Sequence, residues 1–223
     1  MATYLDMRNR IADELANDGD ITAAQINNAI KDSIKDYEAD GFWFNQKVAT
    51  FSTVAAQELY GAAALADIPN MVRISSMRIP LTDGIGSIEG VANETIEDVQ
   101  DGSVTGTPRL YSRFENQIRL YPIPEAVQSI KVSYIYKLAE LSADGDDNAW
   151  TSDCEELIRQ AAKKRLCANI LLSDEMAARY AVFEKQADDG LRRENRLREP
   201  QQYLRADLPF GRHGYNMDRW RYG

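Results

Sequence analysis

The sequence predicts an α+β fold: a four-helix bundle built from N- and C-terminal helix pairs, with a β-rich region inserted between them and an extended C-terminal tail. Three observations carry this. Apolar residues recur at helical spacing before Gly41 and again after Ser152, whereas between Val48 and Leu138 the period falls to two. Helix starts are written at both ends, with Thr22 and Gln25 forming one capping box and Ser152 and Glu155 a second. The strands are grouped in the middle and do not alternate with helices, which favours separate layers over a βαβ sheet. Residues 1–45 are then a helical hairpin with an aromatic knot, 46–140 the inserted β region, 141–199 the helices that complete the bundle, and 200–223 the tail.

In the first helix Tyr4, Met7, Ile11 and Leu15 form one stripe, and Asn17, Asp18 and Gly19 end it. In the second, Ile21 and Ile26 sit where a hydrophobic staple packs, and the stripe continues through Ile30, Ile34 and Tyr37. Phe42, Trp43, Phe44 and Asn45 follow, the densest aromatic group of the body, and read as a core plug at the handover to the next layer.

Strands are expected at Val48–Val54, Met71–Ile79, Arg109–Phe114, Gln117–Tyr121 and Ser129–Leu138, the last with Ile130, Val132, Tyr134 and Tyr136 on one face. A hairpin turns at Glu115 and Asn116. Asp83 to Gly90 reads as a glycine-rich loop, and Glu94 to Gln100 as one short helix.

Beyond an acidic linker, a third long helix presents Leu157, Ile158, Ala161, Ala162, Leu166, Ile170 and Leu171. Ser173 and Asp174 turn the chain into the last helix, whose stripe is Met176, Ala177, Tyr180, Phe183, Ala187 and Leu191, with Gly190 a weak point and Pro200 the stop.

The segment Pro200–Gly223 interleaves Tyr203, Phe210, Tyr215, Trp220 and Tyr222 with Arg205, Arg212, Arg219 and Arg221, broken by prolines and glycines. Aromatics and arginines carry most binding energy at protein interfaces. The tail therefore reads as a docking peptide; the competing reading is a terminus packed on its own domain. Four arginines against Asp207 and Asp218 leave it at +2, on a body with 22 basic and 33 acidic residues.

Composition excludes several functions. A net charge of −9 disfavours tight nucleic-acid binding, because affinity for phosphate comes mainly from Lys and Arg. No apolar run suits a membrane span, and Met1–Tyr4 lacks the pattern of a secretion signal. Cys154 and Cys167, 13 positions apart in one helix, are expected to be buried thiols in a reducing compartment. Asp144–Asn148 resembles the opening of a calcium loop with Glu155 at the twelfth position, but Ala149 stands where the turn needs glycine. An acidic turn leading into a capped helix is the plainer reading. No phosphate-cradling loop is present, and the single histidine, His213, lies in the tail. Glu14 with Asp20 is the carboxylate pair a cell-wall hydrolase would need. Lys163, Lys164 and Arg165, with Arg192, Arg193, Arg196 and Arg198, read as solvated faces or inter-subunit partners, or more sharply as a DNA contact. No catalytic residue, metal or cofactor is assigned.

Ile21–Asn45 (ITAAQINNAIKDSIKDYEADGFWFN), in which a capped helix ends in an F-W-F-N knot, resembles the N-terminal segment of head-to-tail adaptor proteins of tailed bacteriophages. Gly106–Pro124 (GTPRLYSRFENQIRLYPIP) and the spacing to Asp147, Asn148, Ala149 and Trp150 are similar to the same family, and podovirus-like members match best. The resemblance covers roughly residues 3–198. It implies a virion protein at the head–tail junction, assembled in the host cytoplasm, that forms a ring of about twelve subunits under the portal. It also implies that the C-terminal extension docks on the portal, here through Tyr203, Arg205, Phe210, Arg212, Tyr215, Arg219, Trp220, Arg221 and Tyr222. The β region would receive a nozzle or fibre protein, and double-stranded DNA would pass without specific binding. A stopper or tail-terminator ring further from the portal is the structural competitor.

Overall fold

The computed structural model describes residues 2–15, 21–81, 84–99, 104–115 and 117–198. Its helices are α1 (Tyr4–Glu14), α2 (Ala23–Tyr37), α3 (Asn93–Val99), α4 (Glu155–Asn169) and α5 (Asp174–Arg198). Its strands are β1 (Gln46–Ser52), β2 (Leu59–Tyr60), β3 (Met71–Leu81), β4 (Gly84–Gly90), β5 (Thr105–Gly106), β6 (Leu110–Phe114), β7 (Gln117–Tyr121), β8 (Ile123–Pro124) and β9 (Ser129–Tyr136). The fold is α+β, with the strands grouped as the sequence predicts. Two compact units divide the chain: Met1–Leu5 with Lys31–Ser152, and Asp6–Ile30 with the residues from Asp153 onward.

The second unit is helical. Met7 and Ile11 of α1, and Leu15 just beyond its end, are buried at the expected spacing. The α2 start is the reciprocal box that its sequence spells: Gln25 N donates to Thr22 Oγ1 (3.3 Å) and Thr22 N to Gln25 Oε1 (2.7 Å). Ile21 and Ile26 are both buried beside it. Further along α2 the buried row runs through Ala29, Ile30 and Ser33, leaving Ile34 and Tyr37 half-buried.

Helix α4 buries Leu157, Ile158, Gln160, Ala161, Ala162, Lys163, Leu166 and Cys167, while Ile170 and Leu171, expected on the same face, are half-buried. The capping box expected at its start does not form. The helix begins at Glu155 after Cys154, which makes no side-chain cap bond. Ser152 Oγ instead donates to Asn148 O (3.2 Å). Leu172, at φ +48°, turns the chain from α4 into α5. There Ser173 Oγ accepts from Met176 N (3.4 Å).

In α5 only Glu184 and Leu191 are fully buried. Phe183, expected in the buried stripe, is 36% exposed, and Glu184 takes the inward position. The helix continues through Gly190, where an added Cβ would meet nothing within 4 Å. Gly190→Ala is therefore expected to stabilise the protein by about 0.5 to 1 kcal/mol by restricting the unfolded chain. A lowered melting temperature in calorimetry would contradict this.

The first unit is built on a seven-stranded sheet ordered β1-β9-β3-β4-β6-β7-β2, with β5 and β8 pairing separately. Strands β1 and β2 end the order, yet Phe51 of β1 and Tyr60 of β2 have ring centroids 5.4 Å apart. The sheet thus curls round one core, shared by Met77 and Ile79 of β3, Ile88 of β4, Ile118 and Leu120 of β7, and Ile130, Val132 and Tyr134 of β9. The alternation read for β9 holds at Ile130, Val132 and Tyr134, but Tyr136 is half-buried and Ile135, on the other face, is buried as well.

Residues Asp83 to Gly90, expected as loop, are mostly strand. β4 pairs with β3 with Ile88 opposite Met77 and Gly86 opposite Ile79. Two of its glycines have close neighbours, since a Cβ on Gly86 would stand 2.8 Å from Leu81 Cδ1 and one on Gly90 2.8 Å from the Tyr111 hydroxyl, whereas Gly84 sits at φ +140° with nothing within 4 Å. Strands β2, β5 and β8, two residues each, are also absent from the sequence reading. The β6–β7 hairpin turns where predicted, with Phe114 opposite Gln117 and Glu115 at φ +53°.

Candidate assembly surfaces

Charged residues in the helical unit converge on a seam between α1 and α4. Glu14 accepts from both Arg159 and Lys163. Arg10 Nη1 donates to both carboxylate oxygens of Glu155 at 2.9 Å. Burial alone would lower the Arg159 pKa, but Glu156, Glu14 and Glu155 outweigh it and raise it. Lys163 is 3% exposed and stands 4.5 Å over the Tyr180 ring.

The basic run at 163–165 is therefore not the solvated face or inter-subunit patch expected of it. Lys163 is internal, and Lys164 is paired with buried Glu184. Along α5, Arg192 pairs with Asp188 (2.8 Å) and Arg198 with Glu194 (2.5 Å), both one helical turn apart. Glu14 is held between two cations, and Asp20, its proposed partner in hydrolysis, lies outside the described residues.

The acidic turn closes on backbone. Asp146 Oδ2 accepts from Ser142 N and Ala143 N, both at 2.7 Å. Carbonyls of the same turn accept from the first helical N–H groups of α1: Tyr4 N to Asp146 O (2.8 Å) and Leu5 N to Asp144 O (3.1 Å). Two donors that a helix start leaves open are thereby satisfied without a side-chain cap. Among the described residues no group of His, Cys, Asp and Glu is placed to hold a metal ion.

The backbone N–H groups of Ala143 and then Ser142 hold the Asp146 carboxyl below its usual range. A depressed folded pKa means that its stabilisation is present above the unfolded value of about 3.9 and is lost as pH falls through the lower folded value. The melting-temperature gap between wild type and Asp146→Ala should therefore be widest near neutrality and narrow below pH about 4. A gap independent of pH would exclude this role for the charge.

Both cysteines are free and buried, and burial pushes the Cys154 thiol far up and the Cys167 thiol up as well. Neither is a poised nucleophile.

In the β-bearing unit the aromatic knot is a packed cluster. Phe42 stacks on Phe44 (5.4 Å), Trp150 meets Phe44 edge-on (5.2 Å), and Trp43 meets Phe44 (5.3 Å). Asn45 Nδ2 donates to Asp40 O (2.8 Å), and Tyr136 Oη to Phe44 O (3.2 Å). The core-plug reading holds, but its buried members are Phe42 and Trp150, while Trp43 is half-buried.

Exposed apolar side chains mark the surfaces open to partners. They include Val182 and Leu197 on α5, Val48 on β1 and Ile85 on β4. Sequence reading also missed a polar cluster in which Arg119 meets Glu58, Glu97 (3.4 Å) and Asn93 (3.1 Å). It joins residues from three separate segments, so only its individual charges are visible in the sequence. All nine residues assigned to docking, Tyr203, Arg205, Phe210, Arg212, Tyr215, Arg219, Trp220, Arg221 and Tyr222, lie outside the described residues.

A curled β body and a helical unit stitched by internal ion pairs, with apolar and charged side chains left on their surfaces, are the makings of an assembly component. The family model described as SU10 adaptor protein matches residues 2–207, and the chain belongs to that family. It is thus a structural adaptor of a bacteriophage, a virion component. No curated protein matches the chain. Among the described residues no helix is long and apolar enough to cross a membrane.

Proposed function

We propose that this chain is the head-to-tail adaptor that forms a ring beneath the portal, extends the DNA channel, helps retain the genome and seats the tail. The observation that carries the reading is the family match, which spans both compact units and runs into the tail as far as residue 207. In this proposal the helices of the second unit form a four-helix ring wall. The β body receives the next tail component, a nozzle or fibre protein.

The C-terminal segment is the portal anchor. Tyr203, Phe210, Tyr215, Trp220 and Tyr222 fill apolar pockets between portal subunits, and Arg205, Arg212, Arg219 and Arg221 pair with carboxylates at their seams. Copies of a chain carrying −9 around a channel repel phosphate, so packaged DNA slides without adhering. About twelve weak tails engaging one preassembled portal act at high effective concentration. The ring therefore closes on the portal and not in free solution.

A portal pull-down comparing the full chain with one ending at Glu199 tests the anchor. Loss of binding on truncation is expected. Unchanged binding would move the chain to a stopper or tail-terminator position further from the portal.

A further inference from the structure

The outer face of β1-β9-β3-β4 is cationic in a protein with a surplus of acids. Register places Thr50 opposite Lys131, Lys131 opposite Arg78 and Arg78 opposite Ser87, making one continuous row. The adjacent row holds Val48, Ser133 and Ser76. The one carboxylate on these four strands is Glu89, exposed on the same face two residues along β4 from Ser87. Like charges directly across two strands repel, and among the described residues neither Arg78 nor Lys131 has an ion-pair partner.

On the other half of the curled sheet the sign reverses. Ser112 and Arg119 are cross-strand neighbours on the outer side of β6–β7. Asn93 of α3 binds both, at 3.2 and 3.1 Å, and Ile96 is fully buried beneath the helix. Helix α3 therefore covers the outer surface of that half and shows Glu94 and Asp98 to solvent, one helical turn apart. Because the sheet closes round a single core, the outer sides of its two halves look in opposite directions.

We propose that these two surfaces meet between copies of this chain: Arg78 and Lys131 of one copy dock on Glu94 and Asp98 of the next. Cross-strand neighbours stand about 5 Å apart and helix residues four apart about 6 Å, so two cations face two carboxylates in register. A contact joining opposite sides of one molecule is head-to-tail, and when its rotation closes it generates a ring. A second copy is the favoured occupant over DNA because the chain as a whole repels phosphate. The inference rests on the ring reading above and gives that ring its lateral bond.

The test is zero-length carboxyl–amine cross-linking of isotopically mixed full-length chains, alone and with portal, mapped by mass spectrometry. Wild type should give an intermolecular link from Lys131 to Glu94 or Asp98. Arg78→Glu with Lys131→Glu in one chain, or Glu94→Lys with Asp98→Lys in another, should each cut association between like chains about tenfold or more. Mixing the two variants should restore it, with a new link between position 131 of the first and position 94 or 98 of the second. All four residues are exposed, so melting temperatures should match wild type.

Absence of the wild-type link in both conditions overturns the proposal. So does association of either variant at the wild-type level, failure of the mixture to recover, or loss of DNA co-sedimentation in place of self-association. Portal pull-down of the same variants separates the two readings. Portal capture without lateral links sinks only this interface, whereas lateral links without portal capture sink only the portal assignment.

Discussion

Trp150→Ala is expected to destabilise the β-bearing unit by about 3 to 5 kcal/mol, the range for deleting a large buried aromatic that its surroundings do not refill. Trp150 is 2% exposed and closes the knot from outside its own segment, edge-on to Phe42 at 6.3 Å and to Phe44 at 5.2 Å. Its neighbour Asn148 fixes the approach, since Asn148 Oδ1 accepts from Trp150 N (2.8 Å) while Asn148 Nδ2 donates to Ala139 O (2.9 Å). The ring therefore holds together two stretches about a hundred residues apart in sequence. Trp43→Ala is the internal control. Its indole meets Phe44 and stays half-exposed, so the loss should be roughly half as large. Urea denaturation of both variants checks the order, and equal losses would mean that Trp43 carries the plug.

What was legible in the sequence was whatever is written locally. The α2 box is legible because its two partners are three residues apart and nothing else competes for them. The same pattern at Ser152 misled, because the helix starts at Glu155 with Cys154 at its N-cap, so Ser152 does not hold the cap position. Strand β4 was hidden by its glycines, which depress strand propensity, while the neighbours of two of them, Leu81 beside Gly86 and Tyr111 beside Gly90, come from turn-linked or distant positions. Strands of two residues carry no period at all. Of the candidate surfaces, the tail, which lies outside the described residues, was proposed from composition alone. The row from Thr50 to Ser87 was not, because it exists only once three strand registers are known. Lys163 shows the same limit: charge reads as surface until a carboxylate 149 residues away is brought to it.

That pairing sets the second large effect. Glu14→Gln should cost about 2 to 3 kcal/mol, on the low side of the roughly 3 to 5 kcal/mol for stripping a partner from a buried ion, because Glu14 itself is partly solvated. Its side chain is 35% exposed, whereas Lys163 is 3% exposed and would lose the carboxylate it meets. The loss comes from the stranded ammonium and not from the missing attraction. Adding Lys163→Met to Glu14→Gln should therefore recover most of the stability, and a double-mutant cycle in chemical denaturation measures the coupling. Additive losses would show that the carboxylate contributes on its own. The same variant decides the remaining enzymatic option. Zymography should find no cell-wall clearing by wild type or Glu14→Gln, whereas clearing by wild type that vanishes in the variant would return Glu14 to the role of a catalytic acid. A carboxylate whose two oxygens are engaged by Arg159 and Lys163 is poorly placed for that role, because neither oxygen is left free to meet a substrate.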